Sequence, residues 1–90
     1  MFVYKNDTNV KIILNVGVDI SAATVMRIKY RTPAGYSSYW TASAEGTTAI
    51  TYTTGATDLT TAGTWLLQAY VENTWTRHGL ICRLEVRETL

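Results

Sequence analysis

The sequence predicts an all-β fold, a β-sandwich of about seven antiparallel strands. Thr is the commonest of the 90 residues, and Val, Ile, Tyr and Trp, which also favour strands, are plentiful. Alternating apolar and polar segments recur at a spacing of roughly ten residues, and turn signals separate them. No segment keeps a helical period for more than about two turns. The length suits a single domain spanning residues 1–90.

The first half of the chain contains a predicted hairpin. Residues 24–32 alternate between apolar and basic side chains, which is typical of a half-buried antiparallel strand with one solvated face. Pro33 and Gly35 suit a turn, so we expect residues 24–32 and 36–42 to pair. Residues 11–18, which precede the hairpin, alternate in the same way and form another predicted strand.

The second half contains three further predicted strands. They cover residues 49–53, 65–72 and 80–88, and the polar residues 73–79 turn the chain between the last two. In the polar connection 55–63, Asp58 or Thr57 could cap a single helical turn. The side chains expected to point inward from the last two strands are Trp65, Leu67, Ala69, Val71, Leu80, Cys82, Leu84 and Val86.

Composition excludes several classes of protein. The net charge is +1, which argues against the basic excess of a nucleic-acid-binding face. No apolar run approaches the roughly 20 residues of a membrane span, and the first residues lack the pattern of a signal peptide. The lone Cys82 has no partner for an internal disulfide, which fits synthesis in a reducing cytoplasm.

The residues that could carry chemistry do not combine into a catalytic or metal site. His78 is the only histidine, and we interpret it as a solvated loop residue beside Arg77. Cys82 is expected to be a small buried hydrophobe. Asp19 and Asp58 each precede an apolar residue and a Ser or Thr, which is typical of turn building. We therefore predict no enzymatic activity, no cofactor and no metal.

Exposed aromatic and basic residues indicate subunit contact. Large aromatics in or near hairpin turns are typical interface anchors, although ordinary packing and carbohydrate stacking are alternatives. The basic face of residues 24–32 is either a solvated sheet face or a surface that pairs with acidic residues of a neighbour. The interface candidates are Trp75, Arg77, Tyr36, Tyr39, Arg27, Lys29 and Arg31.

The run "AGTWLL" at residues 62–67 resembles the corner that opens strand F of immunoglobulin-like domains. The resemblance puts Trp65 in the position of the corner aromatic and Leu67 in the position of the strand F cysteine. It further implies Ile28 as the partner of Leu67 from strand B, and Trp40 as the strand C aromatic packed over that pair. We expect Ile28, Trp40 and Leu67 to be buried close together, with Trp65 at one end.

A narrower resemblance covers most of the chain. "NVGVDISAATVMRIKYRTPAG" followed by "TTGATDLTTAGTWLLQAYVE" resembles the small Ig-like proteins and N-terminal domains of tailed bacteriophages, and is similar in outline to the N-terminal domain of the baseplate upper protein. The matching residues are Val18, Asp19, Ile20, Ser21, Ala23, Thr24, Pro33, Gly35, Asp58, Leu59, Gly63, Trp65, Gln68 and Tyr70.

This resemblance implies a non-enzymatic structural protein of the virion, made in the host bacterial cytoplasm. A tail, baseplate or fibre-attachment protein that docks to other virion proteins, in many copies of a symmetric assembly, is the leading hypothesis. A head decoration or collar protein is the alternative within the same class. A carbohydrate-binding adhesion module for the host surface is the alternative of another class. None of these involves nucleic acid or a membrane as partner.

Overall fold

The computed structural model describes residues 2–90, and within that range the chain contains strands and turns but no helix. The all-β prediction is therefore confirmed, although the nine strands exceed the predicted seven. The strands are β1 (Phe2–Tyr4), β2 (Lys11–Asn15), β3 (Val25–Arg31), β4 (Ser37–Thr41), β5 (Ser43–Glu45), β6 (Ala49–Thr53), β7 (Gly63–Glu72), β8 (Thr76–His78) and β9 (Cys82–Arg87).

The strands form two sheets. The larger sheet has the order β1-β9-β7-β3-β4, with β8 also paired to β7, and the smaller sheet has the order β2-β6-β5. β1 runs parallel to β9, whereas every other pair described is antiparallel. The prediction of a purely antiparallel fold is thus wrong at β1, a three-residue strand too short to show a period in the sequence.

The predicted hairpin is confirmed as β3 and β4, which pair from Arg27↔Thr41 to Arg31↔Ser37. Thr32 and Tyr36 close the turn, because the Thr32 N–H donates to the Tyr36 carbonyl at 2.8 Å. Gly35 has a φ of 90°, which a residue with a side chain rarely adopts. The turn residues and the alternation of apolar and polar side chains therefore both predict the β3–β4 hairpin that the structure contains.

One hydrophobic core joins the two sheets. All four residues predicted for the core, Ile28, Trp40, Trp65 and Leu67, are buried. The Trp40 ring stacks on Tyr52 of the smaller sheet, with ring centres 5.0 Å apart, and on Trp65 at 6.2 Å. The smaller sheet contributes Ile12, Leu14 and Ile50. The contact between Trp40 and Tyr52 therefore joins the two sheets across the core.

The expected pairing of Ile28 with Leu67 across the core is wrong. Their strands, β3 and β7, are hydrogen-bonded neighbours in the larger sheet. Ile28 pairs with Ala69, and Leu67 pairs with Tyr30. Ile28 and Leu67 therefore belong to the same side of the core. The sequence could not reveal this, because alternation identifies an inward residue but not the sheet that carries it.

The corner before β7 is closed by the indole of Trp65. Its Nε1–H donates to the Thr61 carbonyl, four residues earlier, at 2.9 Å. The Trp65 side chain is only 2% exposed, so this bond satisfies a buried donor. An indole therefore provides the kind of backbone bond that a corner tyrosine makes with its hydroxyl.

The connection between β6 and β7 contains turns and bends rather than the predicted helical turn. The Asp58 carboxylate accepts hydrogen bonds from the Gly55 N–H and the Tyr52 hydroxyl, both at 2.6 Å. Asp58 thus binds its own loop to β6 instead of capping a helix, a competition typical of Asp.

Cys82 and Leu80, predicted to point into the core, are both exposed. Cys82 is the first residue of β9, and the preceding Ile81 is 63% exposed. Farther along β9, Leu84 and Val86 are buried, as expected from their parity. The covered part of the sheet therefore ends between Cys82 and Leu84.

Candidate functional site

No group of three or more His, Cys, Asp or Glu side chains within residues 2–90 is arranged to hold a metal ion. His78 ends β8 and is exposed, rather than lying in a turn. Its Nε2 is 3.4 Å from Nζ of Lys29, and its ring lies edge-on to Tyr70 with centres 5.2 Å apart. His78 is therefore part of a basic surface.

The outer side of the larger sheet gathers most of the basic charge. Directly paired residues present their side chains on the same side of a sheet, so the strand registers identify its members. We call this surface the basic–aromatic face. Its charged and aromatic members are Phe2, Tyr4, Arg27, Lys29, Arg31, Tyr39, Tyr70, Glu72, His78, Arg83, Glu85 and Arg87.

The basic side chains of this face lie over aromatic rings. The Arg27 guanidinium is 4.3 Å from the centre of the Tyr39 ring, and Nζ of Lys29 is 4.4 Å from that of Tyr70. Contacts of this kind orient a cation by its attraction to the electron-rich ring face. Nε of Arg31 donates to Oγ of Ser37 at 3.3 Å. The sequence predicted the basic row of β3 but not Tyr70, since that contact depends on the strand order.

Charge is distributed unevenly between this face and the rest of the molecule. The basic–aromatic face carries five of the eight Lys and Arg residues and two of the seven Asp and Glu residues. Among residues 2–90, the only ion pair on the face joins Arg87 to Glu85, at 3.6 Å. Elsewhere, Lys11 pairs with Glu45 at 3.3 Å. The cations of β3 therefore lack an internal carboxylate.

Glu72 marks one edge of the face. The Tyr70 hydroxyl donates a hydrogen bond to its carboxylate, and this bond raises the pKa of Tyr70. The carboxylate is thus directed at a tyrosine of its own strand rather than at the arginines of β3.

A groove of about 360 Å³ crosses the face. Leu66 and Ile81 supply apolar surface, and Ile81 is 63% exposed. Lys29, Arg31 and Tyr39 also line the groove. Apolar surface next to unpaired cations suits a partner that offers both an apolar side chain and a carboxylate.

The predicted interface aromatics do not form one surface. In the register of β3 and β7, Val25 pairs with Glu72 at one end and Arg31 with Leu66 at the other. Trp75 follows Glu72 and Tyr36 follows Arg31, so these two aromatics lie at opposite ends of the sheet. Tyr36 is 64% exposed and Tyr39 is 47% exposed.

Trp75 lies in the turn between β7 and β8, as the sequence predicted, but it is less exposed than expected. Its side chain is half-buried and packs against the core. The remaining surface of Trp75 lines a second groove, of about 350 Å³, together with Val18, Asp19, Ser21, Ala22 and Arg77. Arg77 is exposed, as expected. Trp75 and Arg77 therefore belong to a separate site at the end of the molecule.

Comparison with known proteins gives no assignment: no protein-family model, curated protein or solved structure matches the chain. Within residues 2–90, no helix is present that has the length and apolar character needed to cross a bilayer.

Proposed function

We propose that this chain is a non-enzymatic structural protein of a tailed bacteriophage virion, with an immunoglobulin-like β-sandwich fold, and that it docks to acidic surfaces of neighbouring virion proteins. The observation that carries the docking proposal is the basic–aromatic face, on which the cations of β3 have no internal carboxylate and lie among aromatic side chains. A tail, baseplate or fibre-attachment position follows from the sequence resemblance. A head decoration or collar position is the alternative within the same class.

The strand order supports the immunoglobulin-like part of the proposal. If β9, β7, β3 and β4 are strands G, F, C and C′, the larger sheet has the order of a variable-type domain. The smaller sheet, β2-β6-β5, then corresponds to B, E and D. In this alignment Ile28 lies on strand C and Trp40 on strand C′, each one strand later than the sequence resemblance implied.

The chemistry of the face supports docking. Arg and Tyr are enriched at interfaces because they bury large areas and keep a polar group for the partner. Arg27 and Lys29 are already held over tyrosine rings. Ordering them against a partner therefore costs less conformational entropy than ordering free side chains. A partner carboxylate would complete charge-assisted hydrogen bonds that this chain does not provide.

The test begins with particles of the phage that encodes the chain. Mass spectrometry should detect the protein in purified particles, and antibody labelling in electron microscopy should place it on the tail or the head. Absence from the particles would overturn the virion proposal, and labelling of the head would replace the tail position with the alternative.

The docking face is tested with Lys29→Glu and Arg31→Glu. We expect each variant to be incorporated at least about tenfold less than the wild type, since reversing one interfacial charge costs more than about 1.4 kcal/mol. Lys11→Glu, on the outer side of the smaller sheet, is the matched control and should be incorporated normally. Equal incorporation of all three, with unchanged thermal unfolding, would show that the basic–aromatic face is not the docking surface.

A further inference from the structure

The second groove lies at one end of the molecule, between the loop of residues 16–24 and the β7–β8 hairpin. Its volume of about 350 Å³ falls at the lower end of the roughly 300–1,000 Å³ typical of ligand sites. Its charged members are one acid, Asp19, and one base, Arg77. It is separate from the basic–aromatic face, because Arg77 pairs with the inward-facing Val71.

Trp75 provides a fixed aromatic surface in this groove. Part of its side chain packs against the core and part lines the groove. The hairpin is closed by the Asn73 N–H, which donates to the Trp75 carbonyl at 2.8 Å. An aromatic side chain held in this way offers a fixed surface to the weakly positive C–H groups of a ligand.

The opposite wall of the groove is anchored as well. Ile20 is fully buried, and its N–H donates to the Thr47 carbonyl at 2.8 Å. The neighbouring Asp19 uses one carboxylate oxygen, Oδ1, to accept from the N–H of Ser21 at 2.9 Å and from its hydroxyl at 2.7 Å. These two bonds lower the pKa of Asp19, so its carboxylate is ionised at neutral pH.

Both charged groups keep free hydrogen-bonding capacity. Within residues 2–90, Oδ2 of Asp19 accepts no hydrogen bond. In the same range, the Arg77 guanidinium makes no hydrogen bond to a side chain and no ion pair, including none with Asp19. A fixed acceptor and a free set of donors therefore lie beside one aromatic ring.

We infer that this groove binds a saccharide. One pyranose ring of the sugar stacks on Trp75, and hydroxyl groups of that ring donate hydrogen bonds to Asp19 and accept hydrogen bonds from Arg77. A simple anion or cation would pair with only one of the two charges, and an apolar ligand would leave both without partners. A neutral polyol offers donors, acceptors and an apolar C–H face together. This site goes beyond the docking role, because it uses none of the residues of the basic–aromatic face.

The experiment titrates the full chain with the methyl glycosides of glucose, galactose, mannose and N-acetylglucosamine. Binding is followed by saturation-transfer NMR and by tryptophan fluorescence. We expect at least one glycoside to bind with a Kd on the order of 1 mM, as suits a small ligand in a shallow groove. Saturation should transfer mainly to the C–H groups of one face of the sugar ring.

Variants distinguish this groove from other surfaces. Asp19→Asn and Arg77→Ala should each weaken binding by about tenfold, the loss of one charge-assisted hydrogen bond. Lys29→Ala, on the basic–aromatic face, should bind the glycoside like the wild type. Trp75→Tyr keeps an aromatic surface and should retain part of the binding, which separates stacking from a loss of fold.

Two outcomes would overturn the inference. One is the absence of saturation transfer to all four glycosides at about 20 mM, a concentration that would fill a site with a Kd on the order of 1 mM. The other is unchanged affinity in both Asp19→Asn and Arg77→Ala. Neither outcome bears on particle incorporation, so the saccharide site and the docking face succeed or fail separately.

Discussion

Gly63 packs directly against Pro33: a Cβ atom at Gly63 would lie 2.6 Å from Cγ of Pro33 and 2.8 Å from its Cβ. Gly63 also has a φ of 130°, in the region that favours glycine. The contact joins the β3–β4 turn to the start of β7. Gly63 and Pro33 are both among the residues that carry the sequence resemblance. They are far apart along the chain but are in contact in the fold.

Replacing Gly63 should destabilise the fold strongly. We expect Gly63→Ala to lower the free energy of unfolding by about 3 kcal/mol or more, because a steric clash adds to the backbone strain. Gly46→Ala is the control, since Gly46 also has a positive φ, 67°, but open space around it. That variant should cost about 1 kcal/mol. Urea unfolding measures both, and similar losses would contradict the clash.

Trp40 and Tyr39 are adjacent in β4 but face opposite sides of the sheet. Trp40→Ala should cost roughly 3–5 kcal/mol, because it removes a buried ring that stacks on Tyr52 and Trp65. Tyr39→Ala should cost under about 1 kcal/mol, since Tyr39 is 47% exposed. Chemical denaturation of both variants checks the assignment, and a loss at Tyr39 equal to that at Trp40 would contradict it.

Tyr52 should give the stability a distinct dependence on alkaline pH. Partial burial and the bond to Asp58 raise the pKa of Tyr52 to about 12, from an ordinary value of about 10. Above pH 10 the unfolded chain releases this proton before the folded chain does. The stabilisation is therefore complete below pH 10 and falls as pH rises to 12.

The comparison of wild type with Tyr52→Phe isolates this effect. The difference between their free energies of unfolding should shrink steadily from pH 10 to pH 12, while the other tyrosines contribute equally to both proteins. A constant difference over that range would show that the pKa of Tyr52 is not raised by folding.

Cys82 should react as an accessible thiol in the folded protein. We expect it to be modified by a disulfide reagent such as DTNB without denaturant, at a rate within about tenfold of that in the unfolded chain. Cys82→Ser should change the free energy of unfolding by less than about 0.5 kcal/mol, as is usual for exposed positions. Reaction only after unfolding would place Cys82 in the core, as the sequence alone had indicated.

The parts of the fold that the sequence predicts are those with their own local pattern. β3 and β7 alternate over at least seven residues, and Pro33 with Gly35 defines the turn between β3 and β4. β1, β5 and β8 have three residues each, and their pairing depends on a neighbour rather than on a period. Short strands of this kind cannot be distinguished from turns in the sequence.

The candidate sites were predictable only in part, for a related reason. The cations Arg27, Lys29 and Arg31 are recognisable from their spacing in a single strand. The ring beneath Lys29 comes from β7, and the acid near Trp75 comes from a loop more than fifty residues earlier. Alternation also tells which way Cys82 points but not how far the facing sheet extends. Predicting any of these facts requires knowledge of the order of the strands.

The parallel pairing of β1 with β9 bears on how the domain responds to mechanical load. Phe2 lies beside Glu85 and Tyr4 beside Arg87, and the Lys5 N–H donates to the Arg87 carbonyl at 2.8 Å. Tension between residues 2 and 90 therefore pulls these strands past each other, so their hydrogen bonds share the force instead of opening one at a time. Deleting residues 1–4 should lower the rupture force in single-molecule pulling, and an unchanged force would place the resistance elsewhere. A domain whose first and last strands are joined in this way resists unravelling when tension is applied between them.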